Sequence, residues 1–250
     1  MSLVSVIMPY FRKEKYIKDS INSILNQTFK KFEIVLVNDE ENPKTKIFLE
    51  EISKSDSRIK LIHNSKNLGA GESRNNGIEE SKGDLIAFCD CDDLWEPNKL
   101  ETQIKFMQDN NLDFCFTSFN IINDKNKIIG FRKAESFLNF KRLRNSCDIG
   151  LSTVILKKKI LNNNEHKFAK LKTKEDYVLW MKLAKKGIKL SGLNEVLSSW
   201  RKDKNSLSSS TFQKIFDGYR VYRIYFNYNI FISFYLLIVL SINFLLKKNK

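Results

Sequence analysis

The sequence predicts an α/β protein: a Rossmann-like, mostly parallel sheet with flanking helices, followed by an apolar helical tail. Two observations carry the sheet. Short β-branched apolar runs alternate with segments of helical spacing through residues 3–110. Repeated strand–helix–strand units of this kind give parallel strands covered on both faces. A third observation carries the tail, since residues 230–246 contain no charged residue. The boundaries read are 1–207 for a catalytic domain and 208–250 for an amphipathic and apolar membrane-association segment.

In order, "LVSVIM" (3–8) is a strand ended by Pro9, and "EKYIKDSINSILNQ" (14–27) sets Ile17, Ile21, Ile24 and Leu25 at helical spacing. "FEIVLVN" (32–38) is a strand, "NPKTKIFLEEISKS" (42–55) a helix, "RIKLIH" (58–63) a strand and "ESRNNGIEESKG" (72–83) a helix stopped by Gly83. "DLIAFC" (84–89) is a fourth strand, and "PNKLETQIKFMQDN" (97–110) a helix with Pro97 in its first turn. Beyond Leu112, residues 113–119, 127–132, 149–156 and 195–201 are strand-like. "KEDYVLWMKLAKKG" (174–187) is a helix with Gly187 just past its end. Ligands bind at the carboxyl ends of such strands, which places Pro9, Asp39, His63 and Asp90 along one edge of the sheet.

The 250 residues carry 43 Lys and Arg against 29 Asp and Glu, a net charge of +14. Nine of those cations and only two acids, Asp203 and Asp217, lie in residues 201–250. Basic segments suit nucleic acid, anionic lipid or phosphate-rich ligands. Here they stand beside aromatics and an apolar run rather than in a nucleic-acid-binding module, so nucleic acid is not expected as a partner. Four cysteines without CxxC spacing fit reduced thiols in the cytosol. The N-terminus has no basic region before a short apolar run, so no signal peptide is expected there.

Against that charge, "LIAFCDCDDLW" (85–95) is unusual, with three acids within four positions. If the strand persists to position 92, alternation sets Asp90 and Asp92 on one face and Cys89 and Cys91 on the other. Paired carboxylates suit a hard cation such as Mg²⁺ or Mn²⁺ that also binds phosphate, and the thiols become packing residues. The plain structural reading is that the acids cap the following helix. "NLGAGESRNNG" (67–77) lacks the third glycine of a dinucleotide fingerprint because Arg74 stands there, and no P-loop is present. By itself it is a glycine turn with a surface arginine. "TKEDYVLW" (173–180) offers a Thr173–Asp176 capping pair, or Glu175 or Asp176 as a general base. His63 and His166, the only histidines, have no sequence partner and are read as structural or exposed.

Together, residues 4–39, 67–100 and 174–187 resemble glycosyltransferase family 2 of the bacterial cell-surface polysaccharide type: inverting enzymes of the A-type glycosyltransferase fold that use nucleotide-sugars. The similarity spans about residues 3–207, with four motifs in order on the expected elements. It implies that Pro9 begins the nucleotide loop, Asp39 bonds a uracil-type base, and Asn67 and Arg74 sit near base and phosphates. Asp90 and Asp92 match the Asp-x-Asp pair, with Asp92 the direct ligand of Mn²⁺ or Mg²⁺. Asp176 matches the catalytic base, with Glu175 beside it on the acceptor side. "WRKDKNSLS" (200–208) resembles the closing segment, with Asp203 where many relatives carry histidine. The implied reaction moves a hexosyl or N-acetylhexosaminyl group, from a UDP-sugar donor, to a hydroxyl of a glycan or lipid-linked acceptor in cell-surface polysaccharide or lipooligosaccharide biosynthesis.

In the tail, Tyr219, Tyr222 and Phe226 share one helical side and Arg220, Arg223 and Asn227 another. Residues 230–246 would extend about 25 Å as a helix against a ~30 Å hydrocarbon core. Cations lie on both sides of the run, against the positive-inside bias. A monotopic anchor on the inner face of the cytoplasmic membrane is therefore expected. A short spanning helix, packing on the catalytic domain, and a homodimer through these helices are the alternatives. Two rival functions are a haloacid-dehalogenase-like phosphatase, which also uses Asp-x-Asp after a strand, and a non-catalytic sugar-nucleotide-binding membrane protein. Leu94 in place of the phosphatase's Thr or Val, and retention of Asp92 and Asp176, argue against them.

Overall fold

The computed structural model describes residues 2–163, 165–203 and 210–248. Strands β1 (Val4–Tyr10), β2 (Phe32–Asn38), β3 (Ile59–His63) and β4 (Leu85–Phe88) pair in parallel, in the spatial order β3-β2-β1-β4. Helices α1 (Glu14–Leu25), α2 (Pro43–Lys54) and α3 (Ala70–Glu80) make the crossovers. Past α4 (Lys99–Asp109) the pairing changes. β6 (Phe114–Ile122) does not pair with β4. Strand β9 (Ile155–Lys157) lies between them, antiparallel to both. β10 (Leu190–Arg201) then pairs parallel to β6, and its far edge takes the short strand β5 (Leu94–Trp95). β7 (Ile128–Arg132) and β8 (Phe137–Leu138) add to β6 and β10, and the one-turn helix α5 (Phe140–Leu143) follows β8. The sheet is therefore mixed, parallel through its first half and in the β6–β10 pair.

Strand alternation divides the interior. Val6, Met8, Ile34, Leu36, Ala87 and Cys89 face α1, α2 and α4. Ile7, Val35, Val37, Ile86 and Phe88 face the opposite layer, which contains α6 (Glu175–Lys185). Each layer buries an apolar stripe, and that burial is the main term favouring the fold. At its far end α6 closes with Gly187 at φ +85°, while Ile188 N and Gly187 N donate to Leu183 O and Ala184 O.

Several expectations shift by a few residues, each for a local reason. β1 runs through Pro9 to Tyr10, so Pro9 lies inside the strand rather than past it. Ile7 O faces β4, where it accepts Cys89 N. Alternation turns Pro9 to the same side, beyond the end of β4, so its missing N–H forfeits no ladder bond. β4 stops at Phe88, and residues 90–93 form a turn closed by Asp93 N to Asp90 O at 3.0 Å. Pro97 precedes the N-cap Asn98 of α4. α3 ends at the cap Ser81, ahead of Gly83. Residues 149–156 are a 3₁₀ turn, Leu151–Thr153, followed by β9.

The tail forms α7 (Thr211–Arg220), a π-helical turn (Val221–Tyr225) and α8 (Ile230–Lys248). Among the described residues no helix is long and apolar enough to cross a membrane. Val221, Tyr222, Leu236, Leu237 and Leu240 join the interior of the α6 layer. The aromatic stripe faces inward too, with Phe226 against Phe140 and Tyr219 against Phe234. The opposite surfaces of both helices leave Phe212, Phe216, Phe231, Tyr235, Ile238 and Leu245 exposed.

Candidate active site

The site forms along the carboxyl edge of β1–β4, where the chain leaves each strand. The first wall comes from β2. Asp39 follows it directly and is buried. Its two carboxylate oxygens accept Leu68 N and Gly69 N, each at 2.8 Å, and Asn64 Nδ2 at 2.8 Å. Asn67 Nδ2 donates to Asp39 O at 3.2 Å. Asp39 and Asn67 thus lie side by side, and the carboxylate moulds the 64–69 loop. His63, the last residue of β3, meets Asn38 Nδ2 through its Nδ1.

Gly69, at φ +85°, turns the chain from that loop into α3. Two further glycines let this helix lie close on its neighbours. A Cβ at Gly77 would come within 2.6 Å of Ile7 Cγ2, and one at Gly71 within 2.7 Å of Ala169 O and 3.3 Å of Glu175 Cβ. Asn75 adds a double tie, its Nδ2 donating to Phe168 O and its Oδ1 accepting Phe168 N. This close contact delivers Arg74 into the interior at 3% exposure, not to the surface as the glycine-turn reading has it.

Arg74 is the centre of the arrangement. Nη1 donates to Glu175 Oε1 at 2.6 Å and Nη2 to Asp90 Oδ1 at 2.7 Å. One guanidinium, packed over the Phe168 ring, joins the acidic turn after β4 to the acid pair that opens α6. Its charge is held firmly by the two carboxylates, against the cost of burial.

The acids after β4 point three ways. Asp90 meets Arg74. Asp92 receives Lys13 Nζ at 2.7 Å, and the same ammonium reaches Asp203 Oδ2 at 3.0 Å. Asp93 is buried, taking Ser152 Oγ and Arg201 N. It orients the loop and does not cap α4, whose N-cap Asn98 has no side-chain cap bond. Cys89 and Cys91 are both buried, and burial drives both thiols well above their ordinary range. That suits packing and not thiolate ligation.

At the start of α6, Lys174 adopts φ +65° and no side chain caps the helix. Thr173 does not cap it, because its N and Oγ1 both donate to Asp217 instead. Asp176 Oδ1 accepts Tyr177 N at 2.7 Å. Burial pushes both acids up, Glu175 to about 7, with Arg74 opposing the rise in each. Burial and the Asp90 charge raise Asp92 as well. An acid whose proton affinity is raised by a water-poor setting is suited to take a proton from an acceptor.

A family model described as Glycosyl transferase family 2 matches residues 5–164. The chain belongs to glycosyltransferase family 2. Two curated relatives match a larger share of this glycosyltransferase. WfgD of Escherichia coli, named as a UDP-Glc:alpha-D-GlcNAc-diphosphoundecaprenol beta-1,3-glucosyltransferase, is 37% identical over 215 residues, covering 85% of this chain and 82% of the relative. TuaG of Bacillus subtilis, named as a putative teichuronic acid biosynthesis glycosyltransferase, is 32% identical over 222 residues, 88% of this chain and 87% of the relative. Among solved structures, S. aureus TarS 1-349 in complex with UDP-GlcNAc superposes with TM-score 0.74 at 22% identity, covering 94% of this chain and 70% of that one. A Pyrobaculum calidifontis mannosyltransferase with GDP-Man and Mn²⁺ gives TM-score 0.69 at 14% identity, covering 91% of this chain and 65% of that one. These two likenesses concern the fold alone. The family match leaves the phosphatase reading without support.

The donor set of the glycosyltransferase fits a hard divalent ion. Asp90 and Asp92 present carboxylate oxygens at the site's edge, and Asp92 already holds a cation, the Lys13 ammonium. No third acid, histidine or cysteine completes a cluster among the described residues. Such an ion therefore needs phosphate oxygens in its shell, as Mg²⁺ and Mn²⁺ sites with one or two carboxylates do. Several site residues went unnoticed in the sequence. Lys13 was visible only as part of the basic "FRKEK" run after β1, and Ser152 gave no signal. Arg201, buried with Nε on Asp92 O and its guanidinium over Tyr16, was hidden in the "WRKDK" segment. Asp217 carried a signal in being one of two acids in a basic tail.

Proposed function

We propose that this enzyme is an inverting, metal-dependent glycosyltransferase that moves a sugar from a nucleoside diphosphate sugar of uridine type to a hydroxyl of a lipid-linked glycan. The observation that carries this reading is the Arg74 bridge. It ties Asp90, of the Asp90/Asp92 turn, and Glu175, of the Glu175/Asp176 pair, to one guanidinium. A leaving-group site and a proton acceptor are what a single displacement at a sugar carbon requires.

Asp176 takes the proton of the acceptor hydroxyl as its oxygen attacks the anomeric carbon. The bond from that carbon to the diphosphate breaks, the nucleoside diphosphate leaves with the electron pair, and the configuration inverts. Asp92, with Asp90 beside it, would hold the Mn²⁺ or Mg²⁺ that neutralises charge developing on the diphosphate. Pro9, Asp39, Asn67 and Arg74 shape the nucleotide side. Asp39 acts through the loop whose amides it holds. Glu175, anchored on Arg74, borders the acceptor side. The names of WfgD and TuaG support a polysaccharide-type product and, for WfgD, a UDP-glucose donor and a polyprenyl-diphosphate acceptor.

Residues 1–207 are proposed as the catalytic unit and 208–250 as the segment that docks on the inner face of the cytoplasmic membrane. The exposed aromatic and aliphatic side chains of α7 and α8, with Lys and Arg close by, suit an anionic lipid interface. The test of the chemistry is Asp176→Asn. UDP affinity by calorimetry with Mn²⁺ stays within about threefold, while UDP-glucose turnover falls by about 10³-fold. Turnover near wild type in that variant would reject Asp176 as the base.

A further inference from the structure

Asp217 stands out among the charged groups that the proposed chemistry does not use. It is one of two acids in a segment with nine cations, yet its carboxylate is fully buried. Oδ2 accepts Thr173 N at 3.0 Å, Thr173 Oγ1 at 3.1 Å and Gln213 Nε2 at 2.8 Å. The facing cation, Arg220, reaches Oδ1 at 3.3 Å and is itself partly exposed. A buried carboxylate is costly to desolvate unless its hydrogen bonds are met. Two of its four donors come from another segment, both from Thr173, while Gln213 and Arg220 lie on its own helix α7.

Thr173 lies three residues before Asp176. Between them, Lys174 takes a left-handed backbone conformation, and that turn aims Glu175 and Asp176 back toward Arg74. A non-glycine residue holds this conformation when its surroundings over-determine it. The tail supplies those surroundings. Gly218 approaches so closely that a Cβ there would lie 2.8 Å from Leu237 Cδ1 and 3.5 Å from Lys174 Cε. On the other side of Asp176, Tyr177 OH donates to Leu143 O, Tyr222 OH donates to Arg144 O at 2.7 Å, and the two hydroxyl oxygens touch at 3.1 Å. Thus, of the two residues that bracket Asp176, Thr173 bonds to a buried tail side chain and Tyr177 packs against another.

We propose that the tail is a clamp on the acid pair, with Asp217 as a positioning residue that acts through Thr173 and Tyr222 as a second grip through Tyr177. The tail is then part of the catalytic machinery as well as a surface for the membrane. This inference rests on the assignment of Asp176 as the base.

The test uses the full chain, UDP-glucose and Mn²⁺, with release of free glucose as the rate. Because a displacement of about 1 Å costs on the order of 10²-fold, Asp217→Ala lowers kcat by about 10- to 100-fold. KM for UDP-glucose stays within about threefold, since the nucleotide side is untouched. Asp217→Asn, whose amide oxygen still accepts Thr173 N, recovers to within about fivefold of wild type. Tyr222→Phe, which removes a single hydroxyl, lowers kcat by about three- to tenfold and decides the matter if Asp217→Ala does not fold. Wild-type kcat in Asp217→Ala, or KM rising in step with the fall in kcat, overturns the clamp. So does wild-type kcat in Tyr222→Phe when Asp217→Ala is insoluble. Asp176→Asn run in parallel separates the two ideas: if it is inactive while Asp217→Ala is not, the clamp alone fails, and if it keeps its turnover, the base assignment fails.

Discussion

Lys99 shows how a residue's environment can reverse what its type suggests. In sequence it is one more cation in a basic chain. In the fold it is fully buried, with Nζ on Gln103 Oε1 at 2.7 Å and 4.1 Å from the Trp95 ring centre. Burial lowers its pKa to about 7, and the nearby thiols Cys89 and Cys115 oppose the shift. A folded value below the unfolded one means that protonation works against folding. The cost is complete below about pH 7 and shrinks as pH rises from there toward the ordinary lysine value, by up to ~1.4 kcal/mol per unit. Lys99→Met should therefore gain most stability at pH 6.5, and that gain should shrink by roughly 2–3 kcal/mol at pH 9. Urea titrations at the two pH values check this; a gain that is the same at both would refute it. The acids after β4 show the same gap between type and role. That they matter was legible, because three carboxylates in a basic chain need a reason. Their division into an Arg74 partner, a Lys13 partner and a buried loop post was not legible, since all three partners lie far away in sequence.

At the scale of elements, helix α3 has the least obvious sequence signature and the largest structural task. Its buried positions include Gly71, Ser73, Arg74, Asn75 and Gly77, a set with little apolar periodicity. The sequence therefore shows a helix after a glycine turn but places its arginine at the surface. The helix is held by close approach: Gly77 against β1 and Gly71 against Ala169 and Glu175. Gly71→Ala should cost about 1–3 kcal/mol by forcing the Ala169 carbonyl away. It should also lower kcat, because it separates Arg74 from Glu175. Thermal melts and UDP-glucose turnover measure the two effects. A stable, fully active Gly71→Ala would show that the close contact is dispensable. The helices α1, α2 and α4 were legible to within a few residues because their apolar spacing and their neighbours in sequence agree. The 149–157 segment was not, because β9 owes its existence to partners on β4 and β6.

For the whole molecule, the tail combines two surfaces on one pair of helices. One surface completes the interior beside α6, and the other is apolar and faces outward. Deleting the tail would strip both at once, so the outward surface is better tested at its tips. Phe212 and Phe231 are 88% and 86% exposed. The double variant Phe212→Ser/Phe231→Ser should lose sedimentation with phosphatidylglycerol vesicles by about tenfold or more, as loss of two buried aromatic rings implies. Its melting temperature should stay within about 2 °C of wild type, because neither ring contributes to the core. Equal sedimentation of variant and wild type would remove these helices as the membrane contact.

The sequence alone determined the parallel β1–β4 half, the edge at which a ligand site must form, the acidic residues proposed for the chemistry and the apolar character of the tail. Each is written in local spacing or in residue type, which physical chemistry reads directly. Only the tertiary structure decided which acids share a cation, where Arg74 points, how β9 enters the sheet, and that the tail contacts the residues flanking the acid pair, Thr173 and Tyr177. Those are contacts between residues from 16 to more than 100 positions apart, as in Arg74 with Asp90 and with Glu175. They exist because burying a charge demands a partner, and the fold, not the local pattern, determines which partner is within reach.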